Sequence, residues 1–96
     1  MKRKQVLAIL SDSLKDYASF KVKSLFLFGS VARDEASEKS DVDILVEFEE
    51  TPTFDEYMDL KFHLESLLSM QVDLVEKKML HPSLRSNIES EAVQIA

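Results

Sequence analysis

A glycine–serine pair followed by two closely spaced aspartates is the part of this sequence best suited to chemistry. Ten residues separate Gly29 and Ser30 from Asp41, and Asp43 follows two positions later. Gly29 is the only glycine in the 96 residues, and glycine permits a positive φ or close approach of the backbone to a ligand. Free backbone N–H groups after the turn could face an anion. The pair predicts a phosphate-binding turn, with an ordinary strand-to-helix turn as the alternative.

Asp41 and Asp43 lie in a segment where apolar and polar residues alternate. This pattern predicts a strand over about 41–49 with one buried face. Both aspartates then point to the other face, where their carboxylates repel each other unless a cation or water lies between them. Mg²⁺ suits such a pair, since it prefers oxygen ligands and completes its shell with water and substrate phosphates. The alternative is an edge strand with a solvated acidic face.

A third carboxylate and one arginine are further candidates. Asp73 is the only charged residue in the predicted strand 71–75, where burial without a partner would be costly. If this strand lies beside that of Asp41, three carboxylates could hold two Mg²⁺ ions, or Asp73 could accept a proton from an attacking hydroxyl. Otherwise Asp73 marks a solvated edge or bulge. Arg33 could add a bidentate contact to phosphate, or could be an ordinary surface residue.

Apolar periodicity predicts the helices that support these residues. Apolar residues recur at helical spacing over about 4–18, which predicts one amphipathic helix. Thr53 and Glu56 form a capping box that begins a second long helix. Pro82 or Ser83 begins a last, short helix.

The predicted strands alternate with these helices. Residues 25–28 form a continuous apolar run that predicts a strand buried on both faces, and residues 92–95 are a candidate terminal strand. This order predicts the fold class α/β, a small mixed β-sheet flanked by helices. The length of 96 residues suits one modest core, so we expect a single domain over 1–96.

Composition limits the classes of function. The sequence contains no cysteine, which excludes disulfides and thiolate metal sites. No apolar run approaches the length of a membrane span, and no signal-peptide core is present, so we expect a cytoplasmic protein without membrane contact. The net charge is −6, with eleven acidic residues and one basic residue between Asp34 and Asp59. Such a surface would repel a nucleic-acid backbone, so we expect no direct nucleic-acid binding.

Two blocks at this spacing resemble the polymerase β-like nucleotidyltransferase superfamily. Residues 27–33 (LFGSVAR) and 40–46 (SDVDILV) are similar to the minimal nucleotidyltransferase (MNT) domain proteins. The resemblance implies a polymerase β-like nucleotidyltransferase fold in which Gly29 and Ser30 hold nucleotide phosphates. It also implies that Asp41 and Asp43 bind Mg²⁺, and that Asp73 is the third acid.

The resemblance also implies a partner and a reaction. MNT proteins of this type are antitoxins of HEPN ribonuclease toxins in type VII-like toxin–antitoxin pairs. The implied activity is transfer of AMP from Mg-ATP to a tyrosine hydroxyl of the HEPN-domain toxin, within a hetero-oligomer. We expect no second, acceptor-binding domain in these 96 residues, which agrees with an acceptor supplied by a partner.

Two alternatives remain open at this point. The site could be catalytically vestigial, so that the protein neutralises a toxin only by binding it. The chain could also be a nucleotidyltransferase that acts on a small molecule such as an aminoglycoside.

Overall fold

Five α-helices and a four-stranded sheet make up the part of the chain that the structure describes. The computed structural model describes residues 2–37 and 41–96. The elements in chain order are α1 (Arg3–Ser11), α2 (Leu14–Ser19), β1 (Val22–Phe28), α3 (Gly29–Ala32), β2 (Val42–Phe48), α4 (Phe54–Leu68), β3 (Val72–Glu76), a 3₁₀ turn (Lys77–Met79), α5 (Pro82–Glu91) and β4 (Val93–Gln94).

The sheet is mixed and has the strand order β3-β2-β1-β4. β1 pairs antiparallel with both β2 and β4, whereas β2 and β3 are parallel. The parallel pair requires a crossover, and α4 provides it between the end of β2 and the start of β3. The predicted α/β fold with a small mixed sheet is therefore confirmed.

The hydrophobic core lies between one face of this sheet and the helices α1, α2 and α4. Buried side chains alternate along β1 and β2 and pack against apolar residues of those helices. The fully buried members with the largest side chains are Val6, Leu10, Leu25, Leu27, Val31, Val42, Ile44, Leu45, Val46, Leu60, Leu64 and Leu68. All but Leu45 belong to this core cluster, since Leu45 points to the opposite face of β2.

The opposite face of the sheet is only partly covered. α5 contacts β1 and α3, but none of its own residues is buried. The prediction that residues 25–28 are buried on both faces is therefore wrong for one face. Leu25 and Leu27 are buried, whereas Phe26 and Phe28 are half-buried under this thin cover.

The predicted N-terminal helix is interrupted. Instead of one helix over 4–18, α1 ends at Ser11 and α2 begins at Leu14. Asp12 and Ser13 lie in the break. Residues of these two types have low helix propensity, because their short polar side chains can compete with the backbone for hydrogen bonds. The capping box of Thr53 and Glu56 forms as predicted at the start of α4.

No helix in the described residues 2–37 and 41–96 has both the length and the apolar character needed to cross a membrane.

A buried hydroxyl joins the two N-terminal helices and provides a test of this packing. The Tyr17 hydroxyl of α2 donates a 2.6 Å hydrogen bond to the Leu10 carbonyl oxygen of α1. Tyr17→Phe removes this bond while keeping the ring, so we expect a loss of about 1 kcal/mol in the free energy of unfolding. Urea denaturation measures the change, and an unchanged midpoint would contradict the packing described.

Candidate active site

Gly29 occupies the turn between β1 and α3 in a conformation that favours glycine. Its φ is +74°, in the left-handed region. A Cβ atom at this position would lie 2.1 Å from Asp43 Oδ2 and 2.9 Å from Asp43 Cγ. Glycine is thus required both by the backbone angle and by the carboxylate beside it. Ser30 follows within α3 and is half-buried.

Asp43 and Asp73 face each other across adjacent strands. Phe28, the last residue of β1, pairs with Asp43 on β2, which explains why Gly29 contacts that carboxylate. On the other side of β2, Asp43 is in register with Asp73 on the parallel strand β3. The strand of Asp73 does lie beside that of Asp43, as the triad hypothesis requires.

The three carboxylates share one electrostatic environment. Burial raises the pKa of Asp43 above its usual value, and the negative charges of Asp73 and then Asp41 raise this pKa further. The Arg33 guanidinium acts in the opposite direction on the same carboxyl. The ionised form of Asp43 is therefore unfavourable in this environment, and a bound cation would stabilise it.

Asp41 is exposed and lies just before the first residue of β2. Ser40, which belongs to the matched sequence block, lies outside the described residues. Within the described ranges, no group of three or more His, Cys, Asp or Glu side chains is placed to hold a metal ion by itself. The donor chemistry nevertheless fits Mg²⁺, which is commonly bound through one or two carboxylates together with substrate phosphates. The metal ligands Asp41, Asp43 and Asp73 stay a prediction.

Arg33 follows α3 and is engaged by two glutamates. Its Nε lies 3.1 Å from Glu35 Oε2, and its Nη1 lies 3.0 Å from Glu91 Oε2 at the end of α5. The positive charge of Arg33 acts to lower the pKa of Asp43, so the guanidinium lies near the acidic site. A phosphate bound there would have to compete with Glu35 and Glu91. The predicted role of Arg33 in nucleotide binding stays a prediction.

Sequence patterns missed two side chains beside Asp73. The Tyr57 hydroxyl donates a hydrogen bond to the Leu74 carbonyl oxygen, and Glu65 Oε2 accepts one from the Val72 amide at 3.0 Å. In the sequence, Tyr57 is one of the apolar residues that recur at helical spacing along α4. Its phenol oxygen was the available signal, because a half-buried tyrosine usually finds a hydrogen-bond partner.

The sequence matches a described protein family and named relatives. The profile of the nucleotidyltransferase domain family matches residues 7–95. A Methanocaldococcus jannaschii protein provisionally named a protein adenylyltransferase is 44% identical over 95 residues, which cover 96% of this chain and 93% of that protein. Protein adenylyltransferase MntA of Thermococcus cleftensis is 43% identical over 76 residues, covering 79% of this chain and 77% of that protein.

Solved structures share the fold. A provisionally named minimal nucleotidyltransferase superposes with a TM-score of 0.86 at 40% identity, covering 97% of this chain and 95% of that chain. A complex of a tri-AMPylated Shewanella oneidensis HEPN toxin with an MNT antitoxin gives a TM-score of 0.68 at 22% identity, covering 94% of this chain and 71% of that chain. At that lower identity the likeness concerns the fold alone.

Proposed function

The chain belongs to the nucleotidyltransferase domain family, and from this premise we propose that it transfers AMP from Mg-ATP to a tyrosine hydroxyl of a HEPN-domain toxin. It would act as the antitoxin of that pair and form a hetero-oligomer with the toxin.

One observation carries the proposal: Asp43 lies between the Gly29 turn and Asp73. Gly29 contacts the Asp43 carboxylate on one side, and Asp73 is its register partner on the other. A phosphate-binding turn, a metal-binding carboxylate and a proton acceptor are the groups that phosphoryl transfer to a hydroxyl needs. The proximity of the turn and the two carboxylates supports these proposed roles for Gly29, Asp43 and Asp73.

The names of related proteins support the choice of substrate and partner. Relatives 43–44% identical to this chain are named protein adenylyltransferases. A protein of the same fold is an MNT antitoxin in complex with a HEPN toxin that carries AMP groups. Another, with a TM-score of 0.70 and 24% identity, is a toxin–antitoxin structure with AMP-PNP, an ATP analogue.

The proposed reaction assigns a role to each residue. The backbone at Gly29 and the Ser30 hydroxyl would bind the triphosphate and direct its α-phosphorus toward Asp43. Asp73 would accept the proton of the tyrosine hydroxyl as its oxygen bonds to the α-phosphorus. The bond from that phosphorus to the bridging oxygen breaks, and pyrophosphate leaves.

Asp41 and Asp43 would hold Mg²⁺ together with oxygens of the nucleotide. When bound, the ion neutralises charge on the phosphates and on the departing pyrophosphate. The raised pKa of Asp43 agrees with this role, because the cation would offset the repulsion from Asp73 and Asp41.

The direct test of transfer is incubation of the pure protein with ATP, Mg²⁺ and the product of a neighbouring gene. ATP labelled at the α-phosphate should label the partner, whereas ATP labelled at the γ-phosphate should not. Label on a small hydroxyl compound without any partner would contradict the protein substrate.

Toxin neutralisation in cells separates transfer from simple binding. The double variant Asp41→Asn/Asp43→Asn should lose protection against the toxin while still forming the complex. Full protection by that variant would instead favour a vestigial site that blocks the toxin by complex formation.

The ion pair between Arg33 and Glu91 leads to a prediction for the KM of ATP. Glu91→Gln removes one competing carboxylate from Arg33, so we expect KM for ATP to fall by about two- to fivefold, the equivalent of one exposed ion pair. Steady-state kinetics with varied ATP measure the effect. Glu89→Gln is the matched control, because Glu89 is also on α5 but pairs with Lys77 and Arg85. Equal KM values for Glu91→Gln and wild type would contradict a role of Arg33 in phosphate binding.

A further inference from the structure

β3 is an edge strand whose outer side is held by side chains of α4. Among the strands of the described residues, only β2 pairs with it, so the outer N–H and C=O groups of β3 need other partners. Glu65 accepts from the Val72 amide, and Tyr57 donates to the Leu74 carbonyl oxygen. These two bonds lie one residue before and one residue after Asp73.

From this arrangement we propose that Tyr57 and Glu65 are positioning residues that fix Asp73 opposite Asp43 for proton transfer. The catalytic part of this inference rests on the proposed function. Neither side chain is assigned to contact the substrate, and both act through the backbone of β3.

Asp73 needs such support because packing does not hold its side chain. It is exposed, whereas the neighbouring Val72 and Leu74 are buried on the core face. Its negative charge also repels Asp43 on the adjacent strand. This repulsion acts to separate β3 from β2, and bonds to α4 on both sides of Asp73 oppose displacement of the strand.

α4 is a firm support for these two bonds. Leu60 and Leu64 lie between Tyr57 and Glu65 along the helix, and both are fully buried in the core. Burial raises the pKa of Tyr57 above its usual value, and the charges of Asp73 and Glu76 raise this pKa further. The two bonds therefore tie Asp73 to the main core of the protein.

Tyr57→Phe tests the tyrosine, with Tyr17→Phe as a matched control. Both tyrosines donate to a backbone carbonyl oxygen, but the bond of Tyr17 lies between α1 and α2. We expect Tyr57→Phe to lower kcat by about tenfold, as misplacement of a reacting group does, with KM for ATP unchanged. Tyr17→Phe should leave kcat unchanged, and equal kcat values for the two variants would overturn the proposal.

A double-mutant cycle distinguishes positioning of Asp73 from general weakening of the fold. In the Asp73→Asn background, Tyr57→Phe should change the residual kcat by less than about twofold, because its effect acts through Asp73. The same tenfold loss in both backgrounds would overturn the positioning role.

Two substitutions at Glu65 test the second bond. Glu65→Gln keeps an oxygen that can accept from the Val72 amide and should retain most of the kcat. Glu65→Ala removes the acceptor and should lower kcat by about tenfold. Equal losses in the two variants would show that the carboxylate charge matters and would overturn the backbone role.

Hydrogen exchange tests the geometry without any transfer assay. In Tyr57→Phe, the amides of β3 should exchange about fivefold faster than in Tyr17→Phe, while those of β1 stay unchanged. Unchanged exchange in β3 would overturn the inference even if the wild-type protein transfers no AMP. Conversely, the wild-type protein could transfer AMP while the effects of Tyr57→Phe and Asp73→Asn on kcat are additive. That result would support the proposed function and contradict the positioning role.

Discussion

Replacing Asp43 by asparagine should abolish AMP transfer without weakening the fold. The neutral amide is a poor ligand for Mg²⁺, and we expect kcat to fall by about 10³-fold, the scale found when one strong electrostatic contact to a transition state is removed. The fold should keep or gain stability, because burial and two neighbouring carboxylates make ionised Asp43 unfavourable in the folded state. AMP transfer and urea denaturation on the same preparation measure both effects.

Glu47→Gln is the matched control for Asp43→Asn. Glu47 lies on the same strand and the same face, four residues after Asp43, and accepts a 3.2 Å hydrogen bond from Ser24. Its amide variant keeps an acceptor oxygen, so transfer and stability should both stay close to wild type. Loss of stability in Asp43→Asn together with retained transfer would contradict the assignment of Asp43 to a metal-binding role.

Gly29→Ala should damage both the fold and the activity. The left-handed φ costs a residue with a Cβ about 1–2 kcal/mol, and the added methyl group would meet Asp43 Oδ2 at 2.1 Å. We expect a total loss of about 2–4 kcal/mol in the free energy of unfolding. We also expect the rate of AMP transfer to fall by about 10²-fold, because the added methyl group displaces the Asp43 carboxylate from its position in the site. Urea denaturation and the transfer assay measure these losses.

A second substitution separates the backbone strain of Gly29→Ala from its steric clash with the Asp43 carboxylate. In the Asp43→Ala background the carboxylate is gone, so Gly29→Ala should destabilise the fold by only the backbone cost of about 1–2 kcal/mol. If Gly29→Ala costs the same in both backgrounds, the contact between Gly29 and the Asp43 carboxylate does not limit this position.

The sequence alone could predict the central part of the site. Alternation along β2 indicated that Asp43 lies on the face opposite the core, and the single glycine indicated the sharp turn at residue 29. The apolar neighbours of Asp73 indicated a second strand. These features are local, because side-chain direction in a strand and the freedom of glycine follow from the backbone of a few residues.

The contacts that complete the site could not be predicted from local patterns. The register that places Asp43 beside Asp73 depends on how α4 returns the chain, and residue spacing does not specify it. The pairing of Arg33 with Glu91 joins residues 58 positions apart. The break between α1 and α2 is also absent from the sequence prediction, because apolar periodicity continues through the turn at Asp12 and Ser13, two residue types of low helix propensity.

The mass of the proposed toxin partner after incubation with this protein tests the central claim most directly. With ATP and Mg²⁺, we predict that the intact partner gains the mass of one or more AMP groups at tyrosine and loses its ribonuclease activity. Asp41→Asn/Asp43→Asn should leave both the mass and the activity of the partner unchanged. A partner that is silenced at its original mass would contradict the account.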